Sequence, residues 1–298
     1  MKTKKLLFIL NPRAGRNKPH GPLFDALAIL SGAGYLIRIH ETSAPGDAAD
    51  TAAREGAGYD LVVAAGGDGT LNEVISGLMR LDAPPPLGYL PQGTTNDFAS
   101  SLQIPRTPAS AAKNIVQNRM RELDIGRWNE RSFIYVASFG AFTRSSYAAS
   151  QAAKNALGHF AYILEGMKDL NTLRPYHIRL TADGEVLDGD YLFGAVCNST
   201  SIGGLMKLDP ERVVLDDGLF EVILVRKPTS ITDLTDSLQA LIRQEPPQSG
   251  AVLSFHASHL KFTAEKPIPW TLDGEYGGSH EINVVENCRQ ALTVMQGD

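Results

Sequence analysis

Two apolar patterns follow one another along the chain. From Lys5 to Ile125, short apolar runs alternate with amphipathic or alanine-rich segments, and each junction contains Gly, Pro, Asn or Asp. This alternation is typical of βα units, in which right-handed helical crossovers join parallel strands. The pattern predicts strands at residues 6–10, 35–40, 61–65 and 87–90 and helices around 23–30, 47–54 and 71–80. This part of the chain is therefore expected to be an open α/β domain.

The pattern changes after about Trp128. A helical stretch at 144–173 precedes β-like runs at 176–181, 191–197, 220–225, 260–264 and 282–285, and a helix candidate at 230–243 interrupts them. These runs predict a second, mainly antiparallel β domain. The expected boundaries are 1–128 for the α/β domain and 129–286 for the β domain, with a tail at about 287–298 that packs back on the first domain.

Composition narrows the class of protein. Of 298 residues, 43% are hydrophobic, which is enough to build cores and excludes disorder as the main state. The formal net charge of -5 argues against a general nucleic-acid binder, so no nucleic-acid partner is expected. The two cysteines, Cys197 and Cys288, lack the spacing of a metal or redox motif, and structural thiols are expected.

The apolar runs also bear on location. The chain starts with basic and then apolar residues, but Asn11-Pro12 ends the apolar run after about five residues, too soon for a signal peptide. No stretch approaches the roughly 18 uninterrupted apolar residues that a membrane span requires. We therefore expect a cytoplasmic protein whose contact with a membrane is peripheral.

The most unusual loop comes after the strand at 61–65. It contains Gly66-Gly67-Asp68-Gly69-Thr70 and leads directly into a helical pattern. Glycines would let the backbone adopt positive φ and approach a ligand, while the helix N-terminus offers unpaired N–H groups to a polyphosphate. Asp68 would need a Mg²⁺ ion to offset its charge beside phosphate. An N-capping aspartate in an ordinary turn explains Asp68 equally well.

Two further loops have chemistry suited to a nucleotide. Residues 91–99 contain Gly93, two threonines and an Asn-Asp pair, which also suit a simple capped turn. Residues 11–16 place two arginines beside Gly15, and arginine forks match phosphate oxygens, although exposed arginines are common. Ligands of open α/β sheets bind beyond the carboxyl ends of the strands, so three such loops predict one site.

Together these motifs resemble the catalytic domain of the diacylglycerol kinase and bacterial lipid kinase family. The ordered set covers nearly the whole chain and consists of residues 11–15, Thr42 with 46–48, 66–74, 91–99, 157–162, 216–220 and 272–275. The Gly-Gly-Asp-Gly-Thr loop alone is less specific, because NAD kinases and phosphofructokinases carry similar loops.

The resemblance implies a Rossmann-like N-terminal α/β domain and a C-terminal antiparallel β-sandwich. It also implies ATP-dependent phosphoryl transfer to a lipid hydroxyl, that of diacylglycerol giving phosphatidic acid, with the nucleotide in the cleft between the domains. The lipid substrate is expected at a membrane surface, and assembly is left open between a monomer and a homodimer. The matching positions that would bind ATP are Asn11, Pro12, Arg13, Ala14, Gly15, Thr42, Gly66, Gly67, Asp68, Gly69, Thr70, Leu71, Asn72 and Thr94.

In the second domain the resemblance implies a base and a metal site. The base is an acidic residue of the Leu-Asp-Gly-Glu motif, either Asp273 or Glu275, and Asp68 is expected to orient the phosphates or a metal-bound water. Mg²⁺ is expected at one carboxylate and backbone carbonyls, which map to Val214, Asp217 and Leu219. Without the resemblance, the Asp-Gly pairs of both motifs indicate hairpin turns.

Some features depart from the family pattern, and two other functions stay open. Arg13-Ala14-Gly15 stands where Ser-Gly is more usual, Gln92 replaces a frequent apolar residue, and residues 208–212 are unusually charged. One alternative is an NAD kinase-like phosphotransferase, against which residues 94–97 and the late Leu-Asp-Gly-Glu argue. The other is a non-catalytic, nucleotide-regulated lipid-binding protein. The presence of Asp68, Asp217, Asp273 and Glu275 together argues against it.

Overall fold

The computed structural model describes residues 3–14, 21–94, 96–140, 174–198, 201–202, 206–207, 214–227, 230, 233 and 252–296. The chain forms two compact units. The α/β unit contains residues 1–123 and 290–298, and the β unit contains residues 124–289. The α/β unit is thus assembled from early and late parts of the chain.

The α/β unit has a parallel sheet to which β15 (Glu275–Met295), the last strand of the chain, contributes its final residues; the strand order is β15-β4-β3-β1-β2. The C-terminal end of β15 pairs with β4, where Val294 lies opposite Leu87. A 3-10 turn at Gly56–Gly58 follows the second helix. The elements are β1 (Lys4–Leu10), α1 (Gly21–Gly32), β2 (Tyr35–Glu41), α2 (Asp47–Glu55), β3 (Leu61–Gly66), α3 (Asp68–Leu78), β4 (Leu87–Pro91), α4 (Asp97–Ser101) and α5 (Pro108–Val116).

The core of the α/β unit lies on the central strands. All residues of β3 and β4 are buried, which is the pattern expected of parallel strands covered on both faces. Helices α2 and α3 pack closely: a Cβ atom on Gly77 would lie 2.2 Å from the Ala49 carbonyl oxygen. Glycine at this position therefore allows the two helix backbones to meet.

The β unit is built from antiparallel pairs in the order β13-β12-β9-β7-β14-β15. Strand β8 pairs with both β9 and β14, and β5 pairs with β6 and β15. The elements are β5 (Met120–Trp128), β6 (Arg131–Phe133), β7 (Val136–Gly140), β8 (Tyr176–Ala182), β9 (Glu185–Cys197), β10 (Ser201–Ile202), β11 (Met206–Lys207), β12 (Phe220–Arg226), β13 (Val252–Ala257), β14 (His259–Leu272) and β15 (Glu275–Met295).

Aromatic side chains fill the centre of the β unit. The rings of Phe139 and Phe262 each lie 5.0 Å from the ring of Trp270, centroid to centroid. Gly194 is needed beside them, because a Cβ atom there would lie 2.2 Å from the Phe139 ring. Cys197 is fully buried, and burial raises the pKa of its thiol well above the ordinary value, as expected of a structural thiol.

The predicted fold class is confirmed: an α/β domain precedes an antiparallel β-sandwich-like domain. The predicted strands and helices of the α/β domain are present, while α4 and α5 are additional. Helix α3 begins at Asp68, earlier than the predicted residue 71, so Asp68 lies in a helix and not in a loop. The helix predicted at 144–173 and most of the one at 230–243 lie outside the described residues.

Candidate functional site

The glycine motif after β3 is a strand-helix junction. Strand β3 ends at Gly66 and α3 begins at Asp68, which leaves Gly67 alone between them. The expected positive φ is wrong, because Gly67 has φ -88° and none of the three glycines is among the residues with positive φ. Gly66 is needed for a different reason, because a side chain there would clash with Thr70: a Cβ atom on Gly66 would lie 2.6 Å from Thr70 Cβ.

The loop after β4 touches this junction. A Cβ atom on Gly93 would lie 2.8 Å from both Gly67 Cα and Asn96 Oδ1. Asn96 shapes the loop, because its Oδ1 accepts the Gly93 N–H and its Nδ2 donates to the Gly93 carbonyl, both at 2.9 Å. The Gln92 N–H also donates to the Gly66 carbonyl at 2.7 Å. The two loops therefore meet backbone to backbone at the carboxyl ends of adjacent strands.

The loop after β1 joins the same corner through Asn11. The Asn11 N–H donates to the Ala65 carbonyl, and Asn11 Nδ2 donates to Thr70 Oγ1, each at 2.9 Å. Its Oδ1 accepts the N–H of Arg13, whose side chain is exposed, also at 2.9 Å. One asparagine thus connects the end of β1 to the first turn of α3.

We call these three connected loops the glycine corner. They contain most of the predicted nucleotide-binding residues, although Gly15 lies outside the described residues. Leu71 differs, because its side chain is fully buried and only its main chain could face a ligand. The predicted residues of the glycine corner are Asn11, Pro12, Arg13, Ala14, Gly66, Gly67, Asp68, Gly69, Thr70, Asn72 and Thr94.

The predicted Thr42 motif is built around Asp47, the first residue of α2. The Thr42 N–H donates to the Leu10 carbonyl at 2.8 Å. The Asp47 carboxylate accepts the Ser43 N–H at 2.8 Å and the Ser43 hydroxyl at 2.9 Å, and it lies 3.0 Å from His40 Nε2. These contacts, the Ser43 N–H foremost, lower the pKa of Asp47 from 3.8 to about 2.

We expect Asp47→Asn to destabilise the protein by about 1–2 kcal/mol at neutral pH, because hydrogen bonds to a charged acceptor are lost. The stabilisation by a carboxylate with a lowered pKa is complete above its ordinary pKa. It disappears as the pH falls from about 4 towards 2. The difference between wild type and variant should therefore shrink over that range.

Urea unfolding followed across this pH range measures the effect. Asp50→Asn is the matched control, because the Asp50 side chain lies on the same helix, is 70% exposed and pairs only at the surface with Arg80. A stability difference for Asp47→Asn that stayed constant down to about pH 2 would contradict the assigned role.

In the β unit, the two candidate bases occupy the turn between β14 and β15. Asp273 and Gly274 have φ of 50° and 87°, both left-handed. The Asp273 carboxylate accepts three backbone N–H groups, at distances of 2.8, 2.8 and 3.0 Å, from Ile134, Tyr135 and Val136. Protonation of this carboxylate would weaken all three hydrogen bonds. The Glu275 side chain, by contrast, is exposed.

A second turn of nearly the same sequence lies between β8 and β9. Residues 181–185, Thr-Ala-Asp-Gly-Glu, repeat residues 271–275, Thr-Leu-Asp-Gly-Glu. Asp183 and Gly184 again have positive φ, 45° and 96°. The Asp183 carboxylate accepts the Ser258 N–H, the Ser258 hydroxyl and the His259 N–H at 2.8, 2.9 and 2.9 Å. In both turns the aspartate therefore holds a neighbouring segment and the glutamate is exposed.

The candidate metal residues lie in the loop before β12. Asp217 is exposed and its Oδ1 accepts the Leu219 N–H at 2.9 Å, while Gly218 has φ 87°. Burial, with a smaller contribution from Asp217, raises the pKa of Glu221 to about 7. The loop itself offers the exposed Asp217 carboxylate and backbone carbonyl oxygens, which are the types of ligand that Mg²⁺ prefers, so its donors fit this ion. No cluster of three or more His, Cys, Asp or Glu side chains suited to a metal occurs in the described part of the chain.

Asp124, which is not among the predicted site residues, holds the loop before β12. Asp124 is 1% exposed, its Oδ2 accepts the Gly218 N–H at 2.7 Å, and its own N–H donates to the Leu215 carbonyl at 2.8 Å. Asn198 Nδ2 in turn donates to the Asp124 carbonyl at 2.6 Å. Its position between apolar neighbours in a strand could have identified Asp124, because an aspartate is rarely buried unless it is paired.

Two family models match the chain, one over each of its two parts. Residues 5–128 match the diacylglycerol kinase catalytic domain, and residues 136–296 match the YegS C-terminal NAD kinase beta sandwich-like domain. The chain is 37% identical over 295 residues to a diacylglycerol kinase of Bacillus subtilis, covering 98% of this chain and 96% of that protein. It is 35% identical over 292 residues to one of Staphylococcus saprophyticus, covering 98% and 95%.

A solved structure shows the same fold. The crystal structure of a diacylglycerol kinase from Bacillus anthracis superimposes with a TM-score of 0.76 at 24% identity, over 100% of this chain and 98% of that one. An α/β domain that matches the diacylglycerol kinase catalytic domain, followed by a β-sandwich-like domain, identifies the chain as a lipid kinase. The chain belongs to the diacylglycerol kinase family, and the resemblance seen in the sequence is confirmed.

Proposed function

We propose that this protein transfers the γ-phosphoryl group of ATP to the hydroxyl of diacylglycerol, giving phosphatidic acid. The observation that carries the proposal is the glycine corner. Three loops at the carboxyl ends of β1, β3 and β4 are held together by Asn11, Thr70 and the contact of Gly67 with Gly93. They lie at the start of α3, and the N-terminus of a helix, with its positive dipole end, favours a polyphosphate.

The chemistry needs a group that accepts the proton of the lipid hydroxyl. We assign this role to Glu275, because its exposed carboxylate can accept a proton without breaking the hydrogen bonds that Asp273 makes. The hydroxyl oxygen forms the new bond to the γ-phosphorus, the bond between this phosphorus and the bridging oxygen breaks, and ADP leaves. Asp273 then serves to hold the turn.

Mg²⁺ is the metal that we assign to the loop before β12. The carboxylate of Asp217 and the carbonyls of Val214 and Leu219 would hold it, and Asp124 fixes the loop through the Gly218 N–H. Mg²⁺ bound there would offset the negative charge of the loop and support its structure, as well as, or instead of, taking a direct part in the phosphoryl transfer. In the glycine corner, Asp68 lies half-buried in the first turn of α3 and is assigned to orient the phosphates or a water.

The lipid acceptor is reached, in this proposal, by peripheral contact with a membrane. Among the described residues, the structure contains no helix long and apolar enough to span a bilayer. The net charge of -5 gives no general attraction to anionic membranes, so docking would depend on a local surface.

Transfer of radiolabelled phosphate from ATP to diacylglycerol in mixed micelles tests the proposal. We expect labelled phosphatidic acid with wild type and Mg²⁺, and transfer lower by about 100-fold or more with Asp68→Asn, because electrostatic groups at a phosphoryl-transfer site contribute on this scale. Asp82→Asn, at an exposed aspartate after α3, is the control. Arms with NAD and with other lipid alcohols identify the acceptor. Labelled NADP without labelled phosphatidic acid would overturn the proposal.

A further inference from the structure

The two Asp-Gly-Glu turns differ in the strand residues that come after the glutamate. After Glu185 the strands stay in register, with Val186 opposite Thr181 and Leu187 opposite Leu180. After Glu275 the register shifts: Tyr276 lies opposite Thr271, but the next pair joins Gly278 to Trp270, which leaves Gly277 as an extra residue. Such a bulge redirects the strand and the side chains beside it.

Arg131, on β6, contacts this bulge directly. Its Nη1 donates to the Tyr276 carbonyl at 3.1 Å and to the Gly277 carbonyl at 2.6 Å. A bulge disrupts the regular ladder of hydrogen bonds, so its carbonyl groups need other donors. The bulge also has little space, because a Cβ atom on Gly277 would lie 2.9 Å from Leu272 Cγ and 3.3 Å from the Trp270 carbonyl oxygen.

The same short segment of chain therefore holds Glu275 from both sides. Before Glu275, the Asp273 carboxylate accepts the N–H groups of residues 134–136. After Glu275, the Arg131 guanidinium holds the carbonyls of Tyr276 and Gly277. Residues 131–136 thus fix the backbone on either side of one exposed carboxylate, which is the support expected around a group that must be aligned.

We infer that Arg131 is a positioning residue for Glu275. By holding the two carbonyls of the bulge, it sets the direction in which the Glu275 carboxylate leaves the strand. In the proposed mechanism Arg131 contacts neither substrate and acts through the backbone of Tyr276 and Gly277. The inference rests on the proposed function, in which Glu275 is the base.

Arg131→Met removes both hydrogen bonds while keeping an apolar chain of comparable reach. We expect kcat to fall by about 10-fold with KM for ATP unchanged, because a base displaced by a fraction of an ångström aligns poorly. Arg131→Lys should keep at least about a third of the wild-type kcat, since an ammonium group can donate to both carbonyls. Arg179→Met, the same change at an exposed arginine of β8, is the control and should leave kcat unchanged.

A double-mutant cycle with Glu275→Gln separates positioning from general damage. If Arg131 acts through Glu275, Arg131→Met should change the residual kcat of Glu275→Gln by less than about twofold. Each kcat is divided by the folded fraction from circular dichroism, so unfolding cannot mimic the effect. A wild-type kcat in Arg131→Met, or equal losses in both backgrounds, would overturn the inference. Wild-type protein that transfers no phosphate to diacylglycerol would instead overturn the proposed function.

Discussion

Glu275→Gln should lower kcat for phosphoryl transfer to diacylglycerol by about 100-fold or more, because a positioned general base contributes about 10² to 10⁴ in rate. Glutamine has nearly the same shape but cannot take the proton. The Glu275 side chain is exposed, so the melting temperature should stay close to that of wild type. Radiolabel transfer in mixed micelles and thermal unfolding measure the two quantities.

The repeated turn supplies the control. Glu185 comes after the same Asp-Gly pair and is also exposed, so Glu185→Gln should keep full activity. Asp273→Asn and Asp183→Asn should each cost about 1–3 kcal/mol of stability, because an amide NH₂ group would then face a backbone N–H donor. If Asp273→Asn abolished transfer without a loss of stability while Glu275→Gln stayed active, the base would be Asp273.

Gly93→Ala should weaken ATP binding by about 10-fold or more. The added Cβ atom would lie 2.8 Å from Gly67 Cα, which is backbone and cannot turn away, and 2.8 Å from Asn96 Oδ1. Overpacking of this kind typically costs about 1–3 kcal/mol, and about 1.4 kcal/mol corresponds to a tenfold change in Kd. Because the loops must separate, part of this cost should also appear as a lower melting temperature. Titration with a fluorescent ATP analogue measures the affinity.

Gly58→Ala is the matched control for this variant. Gly58 belongs to the same unit, and a Cβ atom there would meet nothing within 4 Å. It should bind ATP as wild type does. Unchanged affinity in Gly93→Ala would show that contact between the two loops is not what forms the nucleotide site.

The parallel strands β3 and β4 could be predicted from the sequence because they are completely buried. All of β3 and β4 is buried, so both appear as continuous apolar runs between turn residues. The full lengths of the strands β14 and β15 could not be predicted, since only residues 260–264 and 282–285 show a clear β pattern. Pro267, Pro269 and the Gly277-Gly278 pair interrupt that pattern. Register shifts occur between Thr263 and Ile268, where Pro267 lies, and between Trp270 and Thr271, opposite Gly277.

In the site, too, features formed by adjacent residues could be predicted, whereas contacts between residues distant in the sequence could not. The glycine motif and the Asp-Gly turns can be predicted from adjacent residues. The contact of Gly67 with Gly93 depends on the strand order of the sheet, which the sequence does not state. Asp273 and Glu275 could not be distinguished either, because the three N–H groups that occupy the Asp273 carboxylate come from residues 134–136. Long-range hydrogen bonds leave no local pattern.

The sheet of the α/β unit takes its last strand from late in the chain. Val294 pairs with Leu87, and Gln296 donates to the carbonyls of Arg119 and Leu102. During synthesis, β4 therefore lacks its pairing with β15 until residues 290–296 have left the ribosome. The sheet of the α/β unit therefore stays incomplete while the β unit is translated, and an incomplete sheet edge is a site at which a nascent chain can mispair.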